Sequence, residues 1–326
     1  MRIIVIGLGS MGKRRIRLIQ KYNSEFKIVG VDSNVERCRE AEEKFHVRTE
    51  SDVDKALKET FDCAFIATSP LSHAILIEKC LESKCHVFTE LNLVSDSYEK
   101  NISLAKGMDK VLFLSSTFLY REEISYIKEK ALLCGRERLN YTYHVGQYLP
   151  DWHPWESYNE FFVGNKRTNG CREIFAIELP WLMDTFGKIK QLKVVKNKNS
   201  ELNVDYPDNY LLLLEHESGA KGLLAVDVIS RKAVRNLEVF GENLYISWNG
   251  NPDGLKIYDL DRKEEILVEL YDQIDVLSGY SKQIIENVYF NEVKNFFDVI
   301  AKREEPRYSF EKDRDILTLI DEIEQY

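Results

Sequence analysis

The 326-residue chain is 44% hydrophobic and 30% charged, the composition of a globular protein with material for two cores. A net charge of −9 and the lack of a Lys/Arg-rich block exclude nucleic acid as the main partner, because phosphate neutralisation needs a basic footprint. No run of about 18 apolar residues reads as a membrane span. The first residues enter a strand-like run with no secretory pattern, so a cytoplasmic protein without a membrane partner is expected.

In the first 120 residues, strand-like runs at 2–6, 27–31, 63–67, 86–89 and 111–115 alternate with helical patterns at 13–22, 35–45, 53–59, 72–82 and 97–106. Such alternation predicts βαβ units and a doubly wound parallel sheet with helices on both faces. Cys38, Cys63, Cys80, Cys85, Cys134 and Cys171 form no CxxC pair and no zinc-type spacing. They read as reduced thiols packed as small hydrophobes, and no metal site is expected.

Gly7-Leu8-Gly9-Ser10-Met11-Gly12 matches GxGxxG directly after a strand and at the opening of a helix. Gly7 permits the tight turn, Gly9 lets the backbone approach a pyrophosphate, and Gly12 lets helix and strand pack closely. Ser10 and Met11 start the helix, whose free N–H groups attract phosphate. Asp32 ends the second strand, where a carboxylate accepts ribose hydroxyls, so NAD is the expected cofactor and NADP the less favoured one. Lys13, Arg14 and Arg15 lie close in sequence to the phosphate site but read as solvated first-turn residues.

The period changes beyond residue 120. A strand pattern at 138–148 is followed by an aromatic, loop-rich stretch at 151–169 and a short helical pattern at 179–186. Strand-like runs follow at 191–196, 210–216, 222–229, 237–240, 244–248, 255–258 and 265–270, then helical patterns at 283–302 and 311–324. The expectation is a Rossmann domain at 1–120 and an α+β substrate and oligomerisation domain at 121–326, built on an open, predominantly antiparallel sheet.

Several segments together resemble the Gfo/Idh/MocA family, the relatives of glucose–fructose oxidoreductase and inositol dehydrogenase. Ala67-Thr68-Ser69-Pro70-Leu71-Ser72-His73 is similar to the family's loop beside the cofactor. His86-Val87-Phe88-Thr89-Glu90-Leu91-Asn92-Leu93 resembles its strand ending in Glu-Lys-Pro. Tyr148-Leu149-Pro150-Asp151-Trp152-His153-Pro154-Trp155-Glu156 resembles a segment of its sugar-modifying members, and 170–187 has the length of its active-site helix segment. The resemblance implies cofactor contacts from Thr68, Ser69, Pro70, His73 and Glu90. It also implies a sugar, cyclitol or nucleotide-sugar substrate and a homodimer or homotetramer.

The departures fall on the chemistry. Leu91 and Asn92 stand where the family has Lys-Pro, and Ile177 and Pro180 stand where it has histidine and aspartate. Oxidising a carbinol leaves a proton that a base must take, and leucine and isoleucine cannot take it. Glu178, before an apolar helix, becomes a usable base if buried in a dry cleft, or else complements the helix dipole. His153 suits acid–base work or loop packing, and Tyr120 is a further proton donor. Trp152 and Trp155 offer sugar-stacking faces, while Arg172 and Glu173 offer polar contacts to substrate or a surface salt bridge. The reading is an NAD-dependent oxidoreductase with a non-standard acid–base group; the alternative is a non-catalytic NAD-binding relative serving as redox sensor or scaffold.

Overall fold

The computed structural model describes residues 1–153, 156–276 and 283–326. They cluster into two units, Met1–Thr117 with Tyr289–Leu317, and Phe118–Val288 with Thr318–Tyr326.

The first unit runs β1 (Arg2–Ile6), α1 (Ser10–Tyr22), β2 (Lys27–Val31), α2 (Val35–Phe45), β3 (Arg48–Glu50), α3 (Val53–Ala56), β4 (Cys63–Ile66), α4 (Pro70–Glu82), β5 (His86–Thr89), α5 (Tyr98–Gly107) and β6 (Leu112–Leu114). All strands pair in parallel, in the order β3-β2-β1-β4-β5-β6. This is the doubly wound order whose reversal lies between β1 and β4, where ligands bind beyond the strands' carboxyl ends. Apart from the edge strand β3, the strands are largely buried apolar runs, as helices on both faces require. Three polar residues form β3 on the sheet edge, with no hydrophobic period to announce them.

The second unit opens with a 3-10 turn at Thr117–Tyr120 and α6 (Glu122–Cys134), then β7 (Asn140–Gly146) and α7 (Gly170–Phe186). β8 (Ile189–Asn197), β9 (Asn209–His216), β10 (Lys221–Asp227), β11 (Val234–Gly241), β12 (Leu244–Trp248), β13 (Leu255–Asp259) and β14 (Glu264–Leu267) follow. The sheet order is β14-β13-β12-β11-β7-β10-β9-β8, and every pairing is antiparallel except β7 with β10. The expected open, predominantly antiparallel sheet is therefore present. Period-2 alternation puts Tyr210, Leu212 and Leu214 of β9 in the core, where Tyr210 meets Phe175 of α7 edge-on at 5.3 Å. On the opposite face, Val195, Leu211, Leu213 and Leu223 are 67%, 58%, 48% and 54% exposed.

The chain ends in α8 (Glu286–Ile300) and α9 (Phe310–Gln325). Residues 289–317, expected in the second domain, belong to the first unit. Phe296 of α8 explains this, because its ring stands edge-on to Phe65, Phe88 and Phe113 of the parallel sheet at 5.1, 5.6 and 5.5 Å. α7 is also longer than the helical pattern at 179–186. It begins nine residues earlier, at Gly170, where Asn169 caps it by accepting a hydrogen bond from Arg172 N at 2.8 Å, and Pro180 lies inside it. Among the described residues, no helix is long and apolar enough to cross a membrane.

Candidate functional site

In the first unit the glycine motif forms the turn between β1 and α1. Gly7 holds φ +90°, where a side chain is strained, and a Cβ there would lie 2.5 Å from the Ala67 carbonyl oxygen. A Cβ on Gly12 would lie 1.8 Å from the Gly7 carbonyl oxygen, so helix and turn touch through the missing side chain. Gly9 is different, since a Cβ there would meet nothing closer than Arg37 Nη1 at 4.0 Å. Gly9 also caps α1 without a side-chain hydrogen bond, and the first turn carries no acid. Ser10 and Met11 begin the helix as expected. The turn thus presents backbone N–H groups and a positive dipole end on an unobstructed side, which suits a diphosphate.

Asp32 follows β2 and accepts hydrogen bonds from Leu8 N (Oδ2) and Asn34 N (Oδ1), both at 2.8 Å. Its carboxylate therefore lies against the glycine turn, where a ribose would hydrogen-bond. The three cations at the motif depart from the solvated reading. Lys13 pairs with Glu40 at 2.6 Å. Arg14 is buried with its guanidinium 4.4 Å from the Tyr289 ring centroid, and Arg15 is fully buried.

Across the switch point, Thr68, Ser69 and Pro70 turn from β4 into α4, with Thr68 Oγ1 2.7 Å from Ser72 Oγ and Pro70 in the first helical turn. His73 is buried in the first turns of α4. Its Nε2 lies 3.0 Å from the Thr68 carbonyl oxygen, and its Nδ1 lies 2.6 Å from Asn92 and 3.2 Å from Thr89 Oγ1. Burial holds its imidazole below the usual pKa. Asn92, in the place of the family proline, thus ties the end of β5 to the cofactor-side loop.

Glu90 is bound by Arg15, with Nε to Oε1 at 2.5 Å and Nη2 to Oε2 at 3.0 Å. Arg15 Nη2 also reaches Glu292 Oε2 at 2.6 Å, and Glu292 accepts from Ser115 Oγ and Ser116 N. Burial raises the Glu292 carboxyl even beside this arginine. Glu90, read as a cofactor contact, is thus one arm of a buried ion triad.

In the second unit, Glu178 departs furthest from expectation. It sits mid-helix and fully buried, not in a first turn, and its carboxylate accepts from Tyr143 Oη, Trp181 Nε1 and Arg235 Nη2 at 2.7 Å and Arg235 Nε at 3.1 Å. A carboxylate with about four lone-pair sites and four donors is saturated, so Glu178 holds the core and is not a base. Arg172 also departs from expectation: it is buried, and donates to Glu324 Oε2 at 2.5 Å and Asp321 Oδ1 at 2.6 Å of α9. It anchors the C-terminal helix and is not directed at a substrate.

Glu173 contrasts with both. It lies in the first turn of α7, its Oε2 is buried with no hydrogen-bond partner, and burial pushes its carboxyl up to about 7. Trp152 donates Nε1–H to the Gln147 carbonyl at 3.1 Å, and its ring lies 3.5 Å from where a Cβ on Gly170 would stand. The indole is thereby set beside the helix start that carries Glu173. His153 pairs with Glu156 at 2.7 Å and packs on Phe161 at 4.3 Å, and Tyr120 is buried in its 3-10 turn. Trp155 lies outside the described residues. Among the described residues no cluster of histidine, cysteine or carboxylate could hold a metal.

The parallel sheet order and the glycine cradle define a dinucleotide-binding Rossmann protein with a second, sheet-based unit. Residues 1–114 match the family model GFO_IDH_MocA, an oxidoreductase family with an NAD-binding Rossmann fold. Similar solved structures include UDP-N-acetylglucosamine 3-dehydrogenase GnnA from Acidithiobacillus ferrooxidans, at 19% identity and TM-score 0.76 over 100% of this chain and 97% of that one. Levoglucosan dehydrogenase in complex with NADH matches at 18% and 0.79, over 100% and 96%. The WlbA dehydrogenase from Bordetella pertussis with NADH and UDP-GlcNAcA matches at 16% and 0.76, over 100% and 95%. No curated protein matches by sequence. Residues 1–114 thus match the family's NAD-binding Rossmann fold, and the chain as a whole shares the fold of these solved structures.

Proposed function

We propose that the chain is an NAD-dependent oxidoreductase acting on a hydroxyl of a sugar, cyclitol or nucleotide sugar, with Glu173 as its acid–base group. The observation that carries the reading is the cradle of Gly7, Gly12 and Asp32 at the switch point, where side chains are excluded and backbone donors collect. Relatives of the same fold, solved with NADH and with levoglucosan or UDP-GlcNAcA, support this cofactor and substrate class. NAD, when bound, would supply the hydride acceptor for the carbinol carbon. The hydroxyl proton would need a base, and the Glu173 carboxyl, pushed up to about 7, is suited to take it at neutral pH. Trp152 beside the start of α7 suits stacking on a sugar ring.

Two further expectations belong to this reading. All six cysteines are unpaired thiols, which suits a reducing, cytoplasmic compartment. The exposed Val195, Leu211, Leu213 and Leu223 are cross-strand neighbours on the open sheet face, with Leu211 opposite Val195 and Leu213 opposite Leu223. A contiguous apolar patch of this kind suits a homodimer or homotetramer contact.

The test is NAD reduction with a panel of nucleotide sugars, anhydrosugars and cyclitols. Turnover with one of them, lost in Glu173→Gln while NADH still binds, supports the proposal. The second reading, a non-catalytic NAD-binding relative, is favoured by Leu91 and Ile177 at the family's lysine and histidine positions. It predicts NADH binding with no turnover on any member of the panel.

A further inference from the structure

We propose that Arg231, laid on Tyr148 with Lys232 beside it in sequence, forms an anion subsite, so that the substrate is a phosphate-bearing sugar and not a free sugar or cyclitol. This rests on the reading of Glu173 as the acid–base group and names the substrate class for that site. Gly170, three residues before Glu173, shows where the subsite lies. A Cβ on Gly170 would stand 2.9 Å from Val228 Cγ1, 3.1 Å from Leu149 Cδ1 and 3.5 Å from Trp152 Cη2. The segments that follow β7 and β10 therefore converge on the start of α7. Leu149 N ties them together by donating to the Val228 carbonyl oxygen at 2.9 Å. Tyr148 belongs to the first segment, and Arg231 and Lys232 belong to the second.

Both cations are exposed, yet Arg231 has a fixed place, with its guanidinium carbon 3.7 Å from the Tyr148 ring centroid. Stacking covers one face of the guanidinium and leaves its in-plane N–H donors outward, the edge that meets a phosphate in bidentate fashion. Among the described residues, neither Arg231 nor Lys232 pairs with a carboxylate. Asp227, the acid of the same segment, is turned away from them. It accepts from His144 Nε2 at 2.7 Å, Ile229 N at 3.0 Å, Ser230 N at 2.7 Å and Ser230 Oγ at 3.0 Å, which saturates its lone pairs. A chain of net charge −9 repels anions at long range, so two adjacent cations without acid partners are a local exception to its field. Trp152 lies four residues after Tyr148, so a ring-stacking face and an anion-binding fork share one short segment.

The experiment is a calorimetric titration of the NADH-saturated full chain with UDP, glucose 1-phosphate, glucose and myo-inositol. NADH fills the glycine cradle, so that phosphate binding there does not register. At least one of the two phosphorylated compounds is expected to bind about tenfold or more tighter than glucose and myo-inositol. UDP alone would mark a nucleotide diphosphate, and glucose 1-phosphate alone a sugar monophosphate. Arg231→Ala and Tyr148→Ala should each weaken that binding about tenfold or more, while Tyr148→Phe, which keeps the ring, should stay within about threefold. Because residue 231 is exposed, Arg231→Ala is expected to keep the wild-type circular dichroism and melting temperature. Phosphate binding unchanged in Arg231→Ala overturns the subsite, as does glucose or myo-inositol binding as tightly as the phosphorylated compounds. Arg231-dependent binding with no turnover of any sugar overturns the Glu173 reading and keeps the subsite. Turnover of an unphosphorylated sugar that is lost in Glu173→Gln does the reverse.

Discussion

Glu173 and Glu178 lie on one helix, and burial does opposite things to them. The four hydrogen bonds to Glu178 include both nitrogens of a fork from Arg235, and removing the carboxylate leaves that guanidinium buried with its main partner gone. Glu178→Ala is expected to lose about 3–5 kcal/mol in urea denaturation, the usual result of breaking one side of a buried pair. A loss under about 1 kcal/mol would mean the pair is not a core element. Glu173 carries burial without a partner for Oε2, so its ionised form opposes folding. Its carboxyl titrates near 7 in the folded chain against 4.5 for an unperturbed glutamate, so the folded state binds the extra proton between those values. The stability linked to that proton is fully present below about 4.5 and is lost as pH rises through about 7. Glu173→Gln should therefore raise stability by on the order of 2 kcal/mol at pH 8 and by little at pH 4. Thermal melts at the two pH values check this, and a variant no more stable at pH 8 would show that the carboxylate finds a partner when ionised. A stabilising substitution that also removes turnover is the signature of a group kept for chemistry rather than for the fold.

At the scale of elements, the two outer positions of the glycine motif can be separated from the middle one. Gly12→Ala drives a methyl into the Gly7 carbonyl, so α1 must move away from β1. It is expected to lose about 1–3 kcal/mol together with NADH binding. Gly9→Ala meets open space, so its stability should stay within about 1 kcal/mol while NADH affinity falls, because the methyl occupies the side from which a diphosphate approaches. Equal losses of stability in the two variants would contradict this division. The same elements show what the sequence makes legible. β1, β2, β4 and β5 are buried apolar runs of period one, bounded by turns, and both the motif and Asp32 are read from local spacing. α6 carries only a weak apolar stripe, with Ile124, Ile127 and Ala131 inward among charged neighbours, and it escapes a periodicity reading. The first half of α7 is buried on nearly every side, which erases the helical period, and Pro180 imitates a helix start. Glu178 could not be assigned because its partners are Tyr143 and Arg235, 35 and 57 residues away in sequence. Asn92 is legible only as a departure from Lys-Pro until His73 is found 2.6 Å from it.

Across the whole molecule, buried imidazoles and the open sheet face set how the chain responds to its solution. Burial lowers the pKa of His73, His86 and His216 from the ordinary 6.5, so the unfolded chain takes up protons first as pH falls. The stability these neutral rings allow is present above about 6.5 and is lost as pH falls through their folded values, the reverse of the Glu173 contribution. The association proposed for the open face would add a dependence on concentration. Each copy carries a net charge of −9, so long-range repulsion opposes association while Leu211, Leu213 and Leu223 favour it. Salt within the physiological range screens the repulsion and leaves the apolar term, so association should tighten from low salt to about 0.15 M. Leu213 is flanked by Leu223 on one strand and Lys193 on the other, so Leu213→Lys places a second cation at the centre of the patch. Because the residue is half exposed, the monomer fold should lose no more than about 0.5 kcal/mol. Sedimentation at matched concentrations should then show an oligomer for the wild type and a monomer for Leu213→Lys. A wild type that is monomeric at every salt concentration removes this face from assembly, and an oligomer that survives the substitution assigns assembly to a different surface.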